Sequence, residues 1–238
     1  MNINKHLILL FSVLFFLFAV SVSSGCFRKN ESDVKSVVRN ELDQLKNLDS
    51  ETTQKYIPYT ELFPDATENT DLTDEITETF SLFFRKFNYK ISDVIVGTAN
   101  HSATVSVKLT TIDSKVLARD FKAELLRTQI TESAQAQKGN IKDSSRSLEA
   151  HYLILNHLLN TNDYDTAETD CNIQLVNTGN DKKEKWKIQR TNSLEDDLVG
   201  GLIADLANPD ILSPEDTRYL LERVHYEKKG FMLDTGHF

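Results

Sequence analysis

The side chains in this sequence with chemistry to offer are two cysteines, six histidines and a scatter of carboxylates. Cys171 stands close to Glu168 and Asp170. A thiol turns nucleophilic only where exposure and a nearby positive charge lower its pKa, and these carboxylates would raise it, so an inert thiol on the inner face of a strand is expected. His151 and His157 are six apart and fall on different helix faces, and no Cys or His pair stands at ligand spacing, so neither a metal centre nor a cofactor is expected. Glu195-Asp196-Asp197 lacks the glycine and the alternation of a calcium loop and reads as the acidic first turn of a helix. Gly200-Gly201 follows no strand in a GxGxxG frame, which leaves close helix packing as its use. Asp93 interrupts an apolar strand and reads as a solvated carboxylate. No catalytic constellation emerges, and the chain is expected not to be an enzyme.

Cys26 is a different case. It ends the run Ser23-Ser24-Gly25-Cys26, behind the uncharged stretch Leu7–Val22 and a start that carries Lys5 and His6. A spanning helix needs about 20 apolar residues. This stretch is shorter, and the small residues after it lay out an export signal with its cleavage site. The four residues resemble the lipobox of bacterial lipoproteins, with Ser23 where that family usually has Leu. The resemblance implies lipidation of Cys26 by a thioether-linked diacylglyceryl group, removal of a signal peptide over residues 1–25, and anchoring on the outer face of the cell membrane. An uncut anchor and an ordinary secretory signal cut after Gly25 are the other readings of these residues. At about 0.8 kcal/mol per buried CH₂, two acyl chains hold where one is marginal. A tether over residues 26–32 then spans roughly 20 Å, so the domain rides close to the bilayer. With Cys26 acylated, Cys171 has no partner for an internal disulfide, and the fold must stand by packing.

These residues sit in a chain of 238, with 39% hydrophobic and 26% charged content and a net charge of −9, which excludes a disordered, collagen-like or polytopic membrane protein. Twenty-seven basic residues dispersed among 36 acidic ones form no cationic surface, so nucleic acid is excluded as a partner.

Periodicity supplies the elements. Ser32 caps a helix predicted from Asp33 to Leu48, with Val34, Val37, Val38, Leu42, Leu45 and Leu48 on one face. After a polar stretch punctuated by Pro58 and Pro64, a helix capped by Thr73 is predicted over Asp74–Phe87, carrying the core stripe Ile76, Phe80, Phe83, Phe84 and Phe87. The period then falls to 2. Tyr89–Val96 and the alternating run from Ala103 to Thr110 predict a hairpin. A helical region broken near Gly139-Asn140 follows, then a second hairpin of Ala167–Leu175 and Trp186–Ile188 turning at Gly179-Asn180-Asp181. Ser193 with Asp196 reads as the capping box of a helix carrying Leu198, Leu202 and Leu206 as far as Pro209, and Ser213-Pro214-Glu215-Asp216 starts a last helix. Two hairpins with one apolar face each can bury it by pairing into a four-stranded antiparallel sheet under the helices, an α+β fold.

The chain is similar to uncharacterised lipoproteins of Gram-positive bacteria with a cystatin-like or NTF2-like domain. The similarity is carried by Tyr89-Lys90-Ile91, Ala103-Thr104-Val105-Ser106-Val107 with Thr111-Ile112-Asp113, Lys185-Trp186-Lys187-Ile188 and Leu198-Val199-Gly200-Gly201-Leu202. It implies a curved sheet around a long helix over residues 33–207, with residues 208–238 as a C-terminal helix and loose tail. It also implies a pocket between sheet and helices, for which Phe83, Phe87, Cys171, Trp186 and Ile188 are the candidate lining. Catalytic relatives such as the ketosteroid isomerases use a carboxylate base facing a tyrosine and a second acid; no such motif is matched here. The expected function is therefore non-enzymatic binding of a small ligand, a peptide or an envelope partner. A structural or accessory role in an envelope complex is the alternative, and an enzyme with an NTF2-like pocket a more remote one.

Overall fold

The computed structural model describes residues 30–57, 62–63, 66, 73–97, 101–136, 146–179, 185–219 and 221. The expected signal, Cys26 and residues 27–29 of the expected tether lie outside the described residues, as does the Gly139-Asn140 break, whereas residues 30–32, expected as tether with Ser32 as a helix cap, are already helical. Strict alternation makes the sheet. Along β2 (Ser102–Ile112) Ala103, Val105, Val107 and Leu109 are buried while the residues between them are half-exposed, because successive side chains of a strand point to opposite faces. β1 (Asn88–Val96), β3 (Thr166–Asn177) and β4 (Trp186–Ile188) complete a four-stranded antiparallel sheet in the order β1-β2-β3-β4, so the two hairpins join through β2 and β3. Gly97 N donates to Ser102 O at 2.8 Å to close the first hairpin. In the second, Leu175 lies opposite Ile188 and Asn177 opposite Trp186. Along β1 the alternation slips at Ser92-Asp93, both exposed, the pattern left by one extra residue in a strand.

The first helix, α1, covers 30–46 and buries Val34, Val38, Leu42 and Leu45 as expected. It ends short of Leu48. That residue takes a left-handed φ of 61°, and Asp49 N donates back to Gln44 O at 2.9 Å, a closure that glycine normally provides. Leu48 is consequently 41% exposed, away from the apolar stripe. Asp49 then caps α2 (Ser50–Tyr56), a helix not anticipated from sequence, by accepting from Thr52 N. α3 (Thr73–Phe84) stops at Phe84, three residues short of the expected end, with Phe87 buried just beyond it. α4 (Ser114–Ala136) and α5 (Leu148–Thr161) form the long helical region.

Toward the C-terminus one predicted helix is two, α6 (Asn192–Leu198) and α7 (Leu202–Ala207). The cap is Thr191, whose hydroxyl accepts from Leu194 N, and not Ser193. Gly200 and Gly201 turn the chain between the helices at φ 67° and 88°. A last helix, α8, is described over 214–219; Ser213 Oγ accepts from Asp216 N at 3.0 Å while the Asp216 carboxylate accepts from Ser213 N at 3.2 Å, a reciprocal cap.

The chain divides into two compact units. The smaller takes the described residues up to Leu42, Ile91–Val107 and Asn172–Gln189. Its apolar surfaces are the Val34, Val38, Leu42 stripe and the sheet residues Ala103, Val105, Val107, Ile173, Leu175 and Trp186, all buried. Its opposite sheet face is polar, with Thr104 donating to Gln174 at 2.9 Å and Ser106 to Asn172 at 2.8 Å across the strands. The larger unit takes Asp43–Lys90, Lys108–Cys171 and the residues from Arg190 onward; in it α3 and α4 pack on α5, and α7 packs on α4.

Candidate functional site

Of the five residues expected to line a pocket, Phe83, Phe87 and Cys171 belong to the larger unit and Trp186 and Ile188 to the smaller. Phe83, Phe87, Cys171 and Trp186 are buried and Ile188 is half-buried. Phe83 and Phe87 each meet Phe84 edge to face, at centroid distances of 5.5 and 5.3 Å, so both rings are engaged in core packing. Asp93 is exposed on β1, where its carboxylate accepts from Val94 N at 2.9 Å.

Cys171 acquires a partner that sequence reading missed. The Asp197 carboxylate of α6 lies beside it, and burial, followed by the charge of Asp197 and hydrogen bonding to it, pushes the thiol up to about 12. Asp197 is itself raised, by its own burial, although the thiol's donated bond works against that. Glu168, by contrast, faces away and pairs with Lys108 at 3.1 Å on the wet face of the strands. At neutral pH the thiol is protonated, and it is a hydrogen-bond donor in the core.

His151 is the second group drawn inside. It lies on the first turn of α5, buried, with Nδ1 2.8 Å from Ser147 O. A carbonyl only accepts, so Nδ1 carries the proton and Nε2 the lone pair. The imidazole packs against Phe63 at 5.0 Å and Phe121 of α4 at 5.7 Å, two rings that stack on each other at 5.1 Å, and Phe63 also meets Tyr152 at 5.3 Å. Burial lowers its pKa below the ordinary value, Lys122 adds to that, and the Ser147 carbonyl opposes it.

The third constellation surrounds the glycine turn. Ser114 Oγ lies 2.5 Å from Gly200 O and 2.8 Å from an Asp205 carboxylate oxygen, and with one proton it donates to one of them at a time. A Cβ on Gly200 would come 3.1 Å from Thr111 Cβ and closer still to its hydroxyl, so the turn abuts the end of β2. Thr111 Oγ1 is buried without a hydrogen-bond partner, closed off by this contact. The close packing expected of Gly200-Gly201 is thus against a strand end. Nearby in the fold, Glu195 is buried and paired with Arg190.

Among the described residues no group of three or more His, Cys, Asp or Glu side chains is placed to hold a metal ion. No described helix is long and apolar enough to cross a membrane. Fold and site together define an α+β layer whose larger unit holds a thiol–carboxylate pair and a histidine packed on a stacked ring pair. No family model matches the chain, and comparison with curated proteins and with solved structures finds no match.

Proposed function

We propose that this chain is a lipoprotein anchored through Cys26 on the outer face of the membrane, and that its cystatin-like or NTF2-like α+β domain works by binding without catalysis. The observation that carries the reading is the Ser23-Ser24-Gly25-Cys26 run behind sixteen uncharged residues, Leu7–Val22. Support comes from the spacing to the folded part, since a helix is already under way at residue 30, only four residues beyond Cys26. A signal cut at that cysteine leaves the domain intact and next to the bilayer. Among possible ligands, a peptide or protein partner is favoured over a small molecule. The rings of Phe83 and Phe87 are spent on the core, whereas Ile95 on β1 and Leu153 on α5 stand 60% and 53% exposed.

The test is Cys26→Ser. With a lipid on that sulfur, wild type partitions with membranes and carries the mass of a diacylglyceryl group, and the variant is released or left uncut. Equal membrane partition with no mass difference between the two proteins would refute the anchor. Binding is tested separately, by Ile95→Asp and Leu153→Asp against a cross-linked envelope partner; capture unaffected by both places the partner elsewhere.

A further inference from the structure

The larger unit holds a buried titratable ring among aromatic side chains, and we infer that His151 is an acid-sensitive latch whose protonation loosens the Phe63, Phe121 and Tyr152 ring cluster between α4 and α5. Three observations of position carry this. The imidazole packs against the stacked pair of Phe63 and Phe121, at centroid distances of 5.0 and 5.7 Å, and so completes a triangle of rings. Its one strong hydrogen bond uses Nδ1, toward Ser147 O at 2.8 Å, so an incoming proton must go to Nε2. The same Ser147 carbonyl accepts from His151 N at 3.3 Å, and the Ser147 hydroxyl caps α5 by accepting from Ala150 N at 3.1 Å, so ring, cap and helix start are one structure.

Among the described residues the charged imidazolium meets poor compensation from the elements packed around it. Lys122 on α4 repels it, and the phenyl rings of Phe63 and Phe121, tilted at 53° and 39°, offer weak cation–π attraction. The Ser147 carbonyl favours the cation, but burial outweighs it. The sign follows from linkage. Folding depresses the pKa of this histidine below 6.5, so the unfolded chain binds the proton more tightly; stability is full above that value and falls as pH drops through it toward the folded-state pKa. Each unit of depression is worth about tenfold in the unfolding equilibrium. The latch is independent of the lipid anchor, and its test does not involve Cys26.

The full chain, extracted in nonionic detergent, is unfolded with urea at pH 7.5 and pH 5.5, where ordinary carboxylates stay ionised. His151→Phe and His151→Gln are compared with wild type, with the exposed His157→Gln as control. Hydrogen exchange of Leu148–Thr161 is followed at both values after correction for the intrinsic rate. The latch predicts that acid raises the unfolding constant and α5 exchange several-fold more in wild type and His157→Gln than in either His151 variant. The glutamine variant carries the comparison should phenylalanine not fold. An acid response in His151→Gln equal to wild type would overturn the proposal, as would a wild-type α5 with no acid response.

Discussion

In the smaller unit the buried side chains are Val34, Val38, Leu42 and the alternating residues of the strands with one tryptophan, and Asn30 is its single buried polar residue among those described. In the larger unit a ring cluster, Phe63, Phe80, Phe83, Phe84, Phe87, Phe121 and Tyr152, joins a larger aliphatic set that includes Leu117, Leu155, Leu198 and Leu202, and with them stand Thr52, Thr79, Thr111, Ser114, His151 and Glu195, all buried. Both units are cores by area. They differ in what the core responds to: aliphatic packing is insensitive to protons, whereas an interior holding an imidazole and a thiol–carboxylate pair ties stability to pH.

Substitutions sharpen the contrast, beginning with the largest expected effect. Trp186→Ala should cost about 3–5 kcal/mol through lost burial and the cavity left behind, with the same loss at pH 7.5 and 5.5 relative to wild type. Urea unfolding reads it, and a loss under about 1 kcal/mol would mean that Trp186 on β4 is not buried as described. In the larger unit, Gly200→Ala should cost about 2 kcal/mol or more, since alanine is strained at a φ of 67° and its methyl meets Thr111. A neutral result would displace the turn from β2. Thr191→Ala removes the cap of α6 and should cost about 1 kcal/mol, whereas Ser193→Ala should be nearly neutral; the reverse order would restore the capping position read from sequence. The smallest expected change is Leu48→Gly, a few tenths of a kcal/mol in the stabilising direction, because glycine relieves the left-handed strain but frees the unfolded chain. Measured by thermal melting, a clear loss would show that the Leu48 side chain contributes packing.

Cys171 offers a chemical version of the same contrast. Buried and held protonated, with its pKa pushed up to about 12, it should resist a maleimide at pH 7.5 in the native protein and react only at the rate of opening. Fast native labelling would contradict its burial against Asp197.

How legible the molecule was in its sequence follows the same line. The strands were readable because a period of 2 is imposed by backbone geometry, and Ala103, Val105, Val107 and Leu109 obey it whatever they touch. Helix interiors were readable for the same reason, as Val34, Val38, Leu42 and Leu45 show. Most helix ends were not, although Ser213-Pro214 did mark the start of α8. α1 ends where a leucine adopts a conformation expected of glycine, and the break between α6 and α7 depends on how near Gly200 lies to Thr111, a tertiary contact with no local mark. Asp49 and Thr52 did carry a capping signal for α2, masked by the irregular composition that follows toward Pro58 and Pro64. The site was the least legible part. The partner of Cys171 proved to be Asp197, 26 residues away, and not Glu168 or Asp170 beside it, because β3 sends Glu168 to the opposite, wet face. His151 was read for metal spacing, whereas what distinguishes it is enclosure by rings from two other segments.

The anchoring claim is tested most directly by mass spectrometry of the N-terminal peptide from protein isolated out of native membranes. The account predicts a chain that starts at Cys26 and bears a thioether-linked diacylglyceryl group, leaving Cys171 as the one thiol that reacts after denaturation. A peptide running through Gly25 into an unmodified Cys26, with two thiols titrating in the denatured protein, would contradict it.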